Sequence, residues 1–370
     1  MDLASQYRKI RKEALEEIKK VCDSQHYILG KNVAALESEI AAYTGAKYAI
    51  GVASGTDAIL IALMAAGVKA GDKVVTTPFT FFATAGSISR IGAIPVFVDI
   101  DPETYNIDPT ALEALLKKSS KGVKAVIPVH LYGQCADMDP VMKIAKKYKL
   151  CVIEDAAQSI GAGYKGKRAG AIGHMGCLSF YPTKNLGCFG DGGMVTTNDA
   201  KLAERSKMLR VHGSRVRYYH DEVGANSRLD EIQAAILRIK LKRLDSWATG
   251  REKNAKKYDA LFAKAAIKGV LSTPRISEGC TSVYNQYVIR VKKRDELRAF
   301  LAAEGIGSEV YYPLPLHMQK CFKGLGYKKG AFPVSEKAAK EVLALPIYPE
   351  LTTVQIKHVV ATIASFFEKA

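Results

Sequence analysis

The chain has 370 residues, 48% hydrophobic and 25% charged, proportions that exclude a disordered, collagen-like or coiled-coil protein. Its length fits a large α/β domain with a smaller partner better than one small domain. Lysine and arginine exceed aspartate and glutamate by 54 − 37 = 17, a balance that suits anionic ligands but does not choose among nucleotides, nucleic acid and membrane surfaces.

An amphipathic arm through Tyr7, Ile10, Leu15, Ile18 and Val21 leads to a break at Gly30 and a helix from about Asn32 to Tyr43. Alternation follows. The β-rich runs Tyr48 to Ala53, Lys73 to Thr77, Pro95 to Ile100, Lys124 to His130 and Cys151 to Glu154 are interleaved with helical patterns at Asp57 to Ala66, Phe82 to Ile91, Pro109 to Lys118 and Pro140 to Tyr148. Repeated βα units predict a mainly parallel sheet with helices on both faces, and ligands then sit beyond the carboxyl ends of the strands. A strand at Met194 to Thr197, a helix to about Arg210 and a long helical stretch from Leu229 toward Phe262 come next. The remainder reads as a strand (Val283 to Val291), a helix (Asp295 to Glu304), a strand around Glu309 to Tyr312, and helices near Val334 to Leu343 and Thr353 to Phe367. This predicts a large domain over 1–245, with a helical arm at its start, and a small α+β domain over 246–370.

The longest apolar run, Ala58 to Val68, is far short of a bilayer span, and the charged N-terminus has no apolar signal core, so a cytoplasmic protein is expected. The seven cysteines contain no C-x-x-C pair and are odd in number. They read as reduced thiols, and no metal site is expected.

Two nucleotide motifs fail. Gly161 to Gly166 spells G-x-G-x-x-G but lies several residues beyond its strand, with no convincing helix after it. The same segment nearly spells a P-loop, yet Arg168 stands where Ser or Thr would reach magnesium. H-E-x-x-H and G-x-S-x-G are both absent.

The informative region is Cys151 to Asp199. Apart from His174, Lys184 is the only basic residue between Arg168 and Lys201. A lysine among apolar residues and glycines is poised for desolvation, which frees its lone pair to attack a carbonyl; otherwise it snorkels from a loop. Asp155 ends a buried strand and Gln158 follows three residues later, so both can face one side of the next turn. Asp155 is either a helix cap or the carboxylate that keeps a pyridine nitrogen protonated. Ser54-Gly55-Thr56-Asp57 puts backbone N–H groups and hydroxyls at a helix N-terminus, a phosphate cradle or simply a capped helix.

Taken together, Ser54 to Ala58, Pro78 to Thr84, His130 to Gln134, Glu154 to Gln158, Ser179 to Gly193 and Asn226 to Gln233 resemble the DegT/StrS family of nucleotide-sugar aminotransferases along essentially the whole chain. The resemblance implies a fold type I aminotransferase and pyridoxal 5'-phosphate as cofactor, with the pyridoxamine form as intermediate. It implies that Lys184 forms the internal aldimine and that Asp155 partners the pyridine nitrogen. Gln158 then contacts the ring oxygen, Phe81 stacks on the ring, and Gly55, Thr56 and Ser179 cradle the phosphate. Asn226 is implied to reach the cofactor phosphate of a neighbouring subunit in a homodimer with shared sites. Lys184 disfavours the ketosugar dehydratases of the family, in which histidine replaces the lysine.

The implied reaction takes an amino group from glutamate to a nucleotide-linked ketosugar, with closest likeness to enzymes acting at C3 of UDP-linked N-acetyl sugars. Aminosugar synthesis for lipopolysaccharide or O-antigen is the expected setting. Tyr312, His317 and Arg228 are the candidates near the sugar. Tyr311 stands where uronate enzymes tend to have His, and Arg228 could still supply a charge to a carboxylate. The competing readings are a C4 aminotransferase on a 4-keto-6-deoxy sugar, a dehydratase, and a non-enzymatic basic protein that binds nucleic acid. No helix-turn-helix or aromatic ribbon supports the last, so neither nucleic acid nor membrane is an expected partner.

Overall fold

The computed structural model describes residues 2–265, 267 and 271–369. In chain order the first half has α1 (Leu3–Ser24), α2 (Lys31–Thr44), β1 (Tyr48–Val52), α3 (Gly55–Ala65), β2 (Lys73–Thr76), α4 (Phe82–Arg90), β3 (Ile94–Phe97), α5 (Pro109–Lys118), β4 (Val123–Val126), α6 (Met138–Tyr148) and β5 (Cys151–Asp155). A short hairpin, β6 (Gly163–Tyr164) and β7 (Lys167–Arg168), precedes β8 (Met175–Ser179), β9 (Gly193–Thr197), α7 (Ala200–Leu209) and a second hairpin, β10 (Ser214–Val216) with β11 (Tyr219–His220). Then come α8 (Glu231–Leu241), α9 (Leu244–Lys264), β12 (Leu271–Ser272), β13 (Cys280–Thr281), β14 (Tyr287–Val291), α10 (Arg294–Ala303), α11 (Pro333–Glu341), β15 (Val342–Leu345) and α12 (Thr353–Lys369).

The main sheet has seven strands in the order β1-β9-β8-β5-β4-β2-β3. β9 runs against both of its neighbours, and the other strands share one direction. The carboxyl ends of β1, β2, β4, β5 and β8 therefore open on the same edge, the edge at which such sheets bind ligands. Helix α3 is apolar all round, and Ala58 to Leu63 are all buried, as expected of a helix covered by the sheet on one side and by α4 and α7 on others. Ser54 starts it by accepting a hydrogen bond from the Asp57 N–H at 3.1 Å. Asp108 caps α5 in the same way, with Pro109 at the first helical position.

A second core surrounds the antiparallel sheet β12-β14-β15. There Tyr258 of α9 stacks on Tyr287 of β14 with ring centroids 4.8 Å apart. Helix α9 begins with Leu244 in the first core and contributes Ala255, Tyr258 and Phe262 to the second. No helix among the described residues is long and apolar enough to cross a membrane.

Several elements depart from the sequence reading. The stretch from Leu229 is two helices, with a break at Lys242 and Arg243. Only Tyr287–Val291 of the expected 283–291 strand pairs, because the Val283 and Gln286 N–H groups are taken by the carbonyls of Gly133 and Tyr132. The helix expected to Leu343 ends at Glu341, and the apolar run after it is β15, paired with β14. Glu309 makes one bridge to Ala344 instead of starting a strand. Strand β4 stops at Val126, just before Pro128, which has no N–H to continue a ladder. Gly161 to Gly166 leads into the β6–β7 hairpin, with Gly166 at φ +80°, a turn and not the opening of a nucleotide-binding helix.

Candidate active site

The first wall of the site is the start of α3. Helix geometry leaves the first N–H groups without intrahelical acceptors. Ser54 takes that of Asp57, so those of Gly55 and Thr56 remain for a ligand. Ser179, at the end of β8, lies directly against Gly55: a Cβ at position 55 would stand 2.5 Å from the Ser179 Cβ and 2.8 Å from its Oγ. Glycine is required by this close approach. Below it the Asp57 carboxylate accepts from the Ser227 hydroxyl at 2.9 Å, which ties the helix start to the segment before α8.

The end of β5 supplies the acid. Asp155 is 5% exposed; its Oδ2 accepts from the Thr84 hydroxyl at 2.7 Å and its Oδ1 from the Ala157 N–H at 3.2 Å. Thr84 is linked in turn to the Thr80 hydroxyl at 3.1 Å. Alternation along the strand sends Glu154 the other way, into the core at 0% exposure. It accepts from the N–H groups of Gly170, Ile172 and Gly173 at 2.8, 2.7 and 2.6 Å and meets His130 Nε2 at 2.8 Å. Because His130 Nδ1 accepts from the Ala136 N–H at 3.1 Å, the ring proton sits on Nε2 and is donated to Glu154. Asp155 thus faces a cavity while its neighbour fixes the strand and the 170–173 loop behind it. Gln158 is held at both ends: its Oε1 accepts from the Tyr132 N–H at 2.7 Å and its Nε2 donates to the Tyr312 hydroxyl at 3.0 Å.

Lys184 projects from the loop between β8 and β9, a turn closed by its own N–H donating to the Tyr181 carbonyl at 2.8 Å. Desolvation lowers its amine from the ordinary 10.5 to about 8, with the Asp155 charge opposing the shift. At pH 7 about one such amine in ten is neutral, against about one in three thousand for an ordinary lysine. Phe81, 57% exposed, overhangs the opening with its ring 6.2 Å from that of Tyr312.

Gly55, Thr56, Phe81, Asp155, Gln158, Ser179, Lys184 and Tyr312 all line one cavity of about 500 Å³. Asn226, Arg228 and His317 are not among the residues lining it. Asn226 is exposed, in a bridge with Val211, and Arg228 is half-buried near it. His317, expected near the sugar, stands in an aromatic cluster instead of on the cavity wall. Its ring packs against Phe332 with centroids 4.8 Å apart and its Nε2 meets Glu336 at 3.1 Å. The turn holding it is anchored by the Leu316 N–H on the Pro78 carbonyl at 2.7 Å, which directs the imidazole into an aromatic cluster. Burial pulls its pKa down, with Glu336 opposing.

The sequence reading missed Thr84, the donor to Asp155, although it lies within the quoted Pro78 to Thr84 segment. It also missed Asn285 and Gln286, which complete the cavity wall from the C-terminal half. Their buried Oδ1 and Oε1 atoms have no partner among the described residues, as expected of groups turned toward a ligand.

A family model described as the DegT/DnrJ/EryC1/StrS aminotransferase family matches residues 8–364. The chain is 54% identical over 367 residues to a pleiotropic regulatory protein of Geobacillus stearothermophilus, covering 99% of this chain and 98% of that one. It is 45% identical over 365 residues to the UDP-2-acetamido-2-deoxy-3-oxo-D-glucuronate aminotransferase of Pseudomonas aeruginosa, covering 99% of each. The crystal structure of S. venezuelae DesV in complex with a ketimine intermediate superposes with a TM-score of 0.95 at 40% identity, covering 100% of this chain and 98% of that one.

Proposed function

The chain belongs to the DegT/DnrJ/EryC1/StrS aminotransferase family, and from that premise we propose that it carries an amino group from glutamate to C3 of a UDP-linked N-acetyl ketosugar, using pyridoxal 5'-phosphate. The observation that carries the reading is one cavity in which a desolvated lysine amine, an anchored carboxylate and an anion cradle face the same space.

These residues fit the cofactor. The N–H groups of Gly55 and Thr56 and the Ser179 hydroxyl suit its phosphate, in a cradle that a side chain at position 55 would fill. Asp155, fixed by Thr84 and Ala157, suits a protonated ring nitrogen, and Gln158 has a second amide hydrogen for the ring oxygen. Phe81 offers an aromatic face. Bound there, pyridoxal phosphate supplies an electron sink and a carbon that accepts and returns nitrogen.

Lys184 does the proton work. With the cofactor bound, its amine would take a proton from the α-carbon of glutamate and, with a ketosugar in place, would deliver one to the sugar carbon being aminated. Asp155 holds the counter-charge throughout, and Tyr312 fixes Gln158 at the same wall. Amination at C3 of a UDP sugar rests on the P. aeruginosa relative, whose substrate by name is a 3-oxo uronate. Asn226 and Arg228 lie outside the cavity of their own chain, which supports a homodimer in which they serve the partner's site. The product would be an aminosugar nucleotide for a surface polysaccharide such as lipopolysaccharide O-antigen, made in the cytoplasm.

The test incubates the protein with pyridoxal phosphate, glutamate and either a UDP-3-keto-N-acetyl sugar or a 4-keto-6-deoxy nucleotide sugar, and reads the product by mass and NMR. Nitrogen at C3 supports the proposal, nitrogen at C4 moves the assignment to the other sugar class, and oxygen lost from C3 without nitrogen gained identifies a dehydratase. The regulatory name of the G. stearothermophilus relative states no chemistry. Steeply salt-dependent DNA binding without transamination would revive a nucleic-acid role for the basic excess.

A further inference from the structure

Helix α8 carries a lysine whose position has no evident use in stability. Lys240 is 3% exposed and sits among buried apolar neighbours of the same helix such as Ile236, Leu237 and Ile239. Burying an ammonium is costly unless it is well paired, and its amine is pulled from 10.5 down to about 8 by desolvation, with no carboxylate among the causes. Its partners are one carbonyl and one ring: Nζ donates to the Gly187 carbonyl at 2.5 Å and lies 4.8 Å from the centre of Phe189. Both partners belong to the loop that bears Lys184.

That loop is held by contacts that converge on the same few residues. Gly187 packs on the Tyr181–Pro182 backbone so closely that a Cβ there would overlap the Pro182 carbonyl. The Lys184 N–H closes onto the Tyr181 carbonyl and the Cys188 N–H donates to the Phe180 carbonyl, each at 2.8 Å. Seven residues before Lys240, two turns back on the same helix face, Gln233 accepts from the Phe189 N–H at 2.8 Å. The Phe189 ring also meets Tyr7 of α1 edge-on, with centroids 5.7 Å apart. Two residues of one helix thus grip the turn immediately downstream of the cavity lysine, one through a backbone N–H and one through a backbone carbonyl.

We propose that Lys240 is a positioning residue for Lys184: its buried ammonium, docked on the Gly187 carbonyl and the Phe189 ring, fixes the turn that sets where the Lys184 amine stands. The inference rests on the role of Lys184 proposed above. A methionine would fill the same volume in α8 and leave the Gly187 carbonyl without its donor, so the lysine contributes loop position where an apolar residue would contribute core stability.

The experiment compares Lys240→Met, Lys240→Gln and Phe189→Leu with wild type. Amide hydrogen exchange is followed in the cofactor-free proteins, and pyridoxal phosphate binding at Lys184 by visible absorbance and borohydride trapping. For Lys240→Met, exchange at residues 181–189 should rise at least tenfold while β8 and β9 keep wild-type protection, and trapping at Lys184 should slow about tenfold. Lys240→Gln, which retains an N–H donor, should recover most of both effects. Phe189→Leu, at a position 40% exposed, removes only the ring face and should give a smaller rise confined to the same loop. Unchanged exchange and trapping in Lys240→Met would overturn the proposal. So would a rise spread evenly over all the strands, or a Gln variant no better than the Met one, since either means a general packing role. If Lys184 in wild type is not the residue trapped, the proposed function fails instead, and the exchange data alone decide whether Lys240 holds the loop.

Discussion

Replacing Lys184 by methionine should stabilise the cofactor-free protein near neutral pH, and the gain should disappear in alkali. The folded amine is held down to about 8 instead of 10.5 by desolvation, a cost on the order of 3 kcal/mol. The sign follows from proton counting. Between pH 8 and 10.5 the unfolded lysine keeps a proton that the folded one has lost, so wild-type stability rises with pH across that window. Below it, both states are largely charged and the folded state bears the desolvation cost. The penalty is then about 3 kcal/mol at pH 7, about 2 at pH 9 and close to zero at about pH 10.5. Methionine lacks the penalty at every pH, and its packing contribution is constant with pH. Lys240, lowered to about 8 as well, titrates in both proteins and cancels. The assay is urea denaturation of both cofactor-free proteins at fixed protein concentration from pH 7 to 10.5, reading the difference in unfolding free energy. A difference flat to within about 0.5 kcal/mol across that range would mean that Lys184 is not desolvated, and its enrichment in neutral amine would go with it.

Three further outcomes test the surrounding residues. Thr84→Val deprives the Asp155 carboxylate of its 2.7 Å donor; a hydrogen bond to a charged group is worth about 1.5–3 kcal/mol, so pyridoxal phosphate affinity in an absorbance titration should fall at least tenfold, with Thr84→Ser close to wild type. Glu154→Gln turns an amide N–H₂ toward some of the four donors around that carboxylate and should lower the unfolding free energy by about 3 kcal/mol in denaturant titration. Gly55→Ala places a methyl 2.5 Å from the Ser179 Cβ; it should reduce cofactor affinity at least tenfold by the same absorbance titration, while Gly324→Ala, where a Cβ meets nothing within 4 Å, should leave affinity unchanged.

The α/β alternation was legible because strand and helix periods differ and β1 to β4 each lie between helices. Strand β8 was not, since Met-Gly-Cys-Leu-Ser is short, buried on both sides and carries glycine, so it shows neither period. The run Val342–Leu345 was absorbed into the helix before it for a related reason: a short apolar stretch fits either element, and only its pairing with β14 decides. Asp155 and the Gly55 cradle were readable because each stands at or just past the end of a strand on the ligand edge of the sheet, and Lys184 because it is the lone lysine of an apolar, glycine-rich stretch. The packing of His317 against Phe332 and Glu336 left no signal, because a local string does not reveal which way a short 3-10 turn faces. Asn285 and Gln286 left no signal at all; their use depends on being carried more than a hundred residues along the chain to the cavity that Asp155 also lines.

How they are carried there gives a physical reason for the His130-Leu-Tyr-Gly-Gln134 segment, which no chemical argument from sequence explained. Gly133 has φ +105°, and a Cβ on it would stand 2.8 Å from the Asn285 N and 2.9 Å from the Tyr284 N, so only glycine allows the later segment to pack there. The Gly133 carbonyl accepts from the Val283 N–H at 2.9 Å, and Gln134 Oε1 accepts from the Ser277 N–H at 2.7 Å. The Tyr132 hydroxyl donates to the Tyr311 carbonyl, one residue before the tyrosine that holds Gln158. On the other side, Asn185, next to Lys184, donates to the Val283 carbonyl at 2.9 Å. Val283 is therefore tied by its N–H to the loop after β4 and by its carbonyl to the lysine loop after β8. These bonds add to the packing of Val129, Tyr311 and Tyr312, which line the cavity and belong to or pack against the second core, and they make the 131–134 turn a direct support for Asn285 and Gln286.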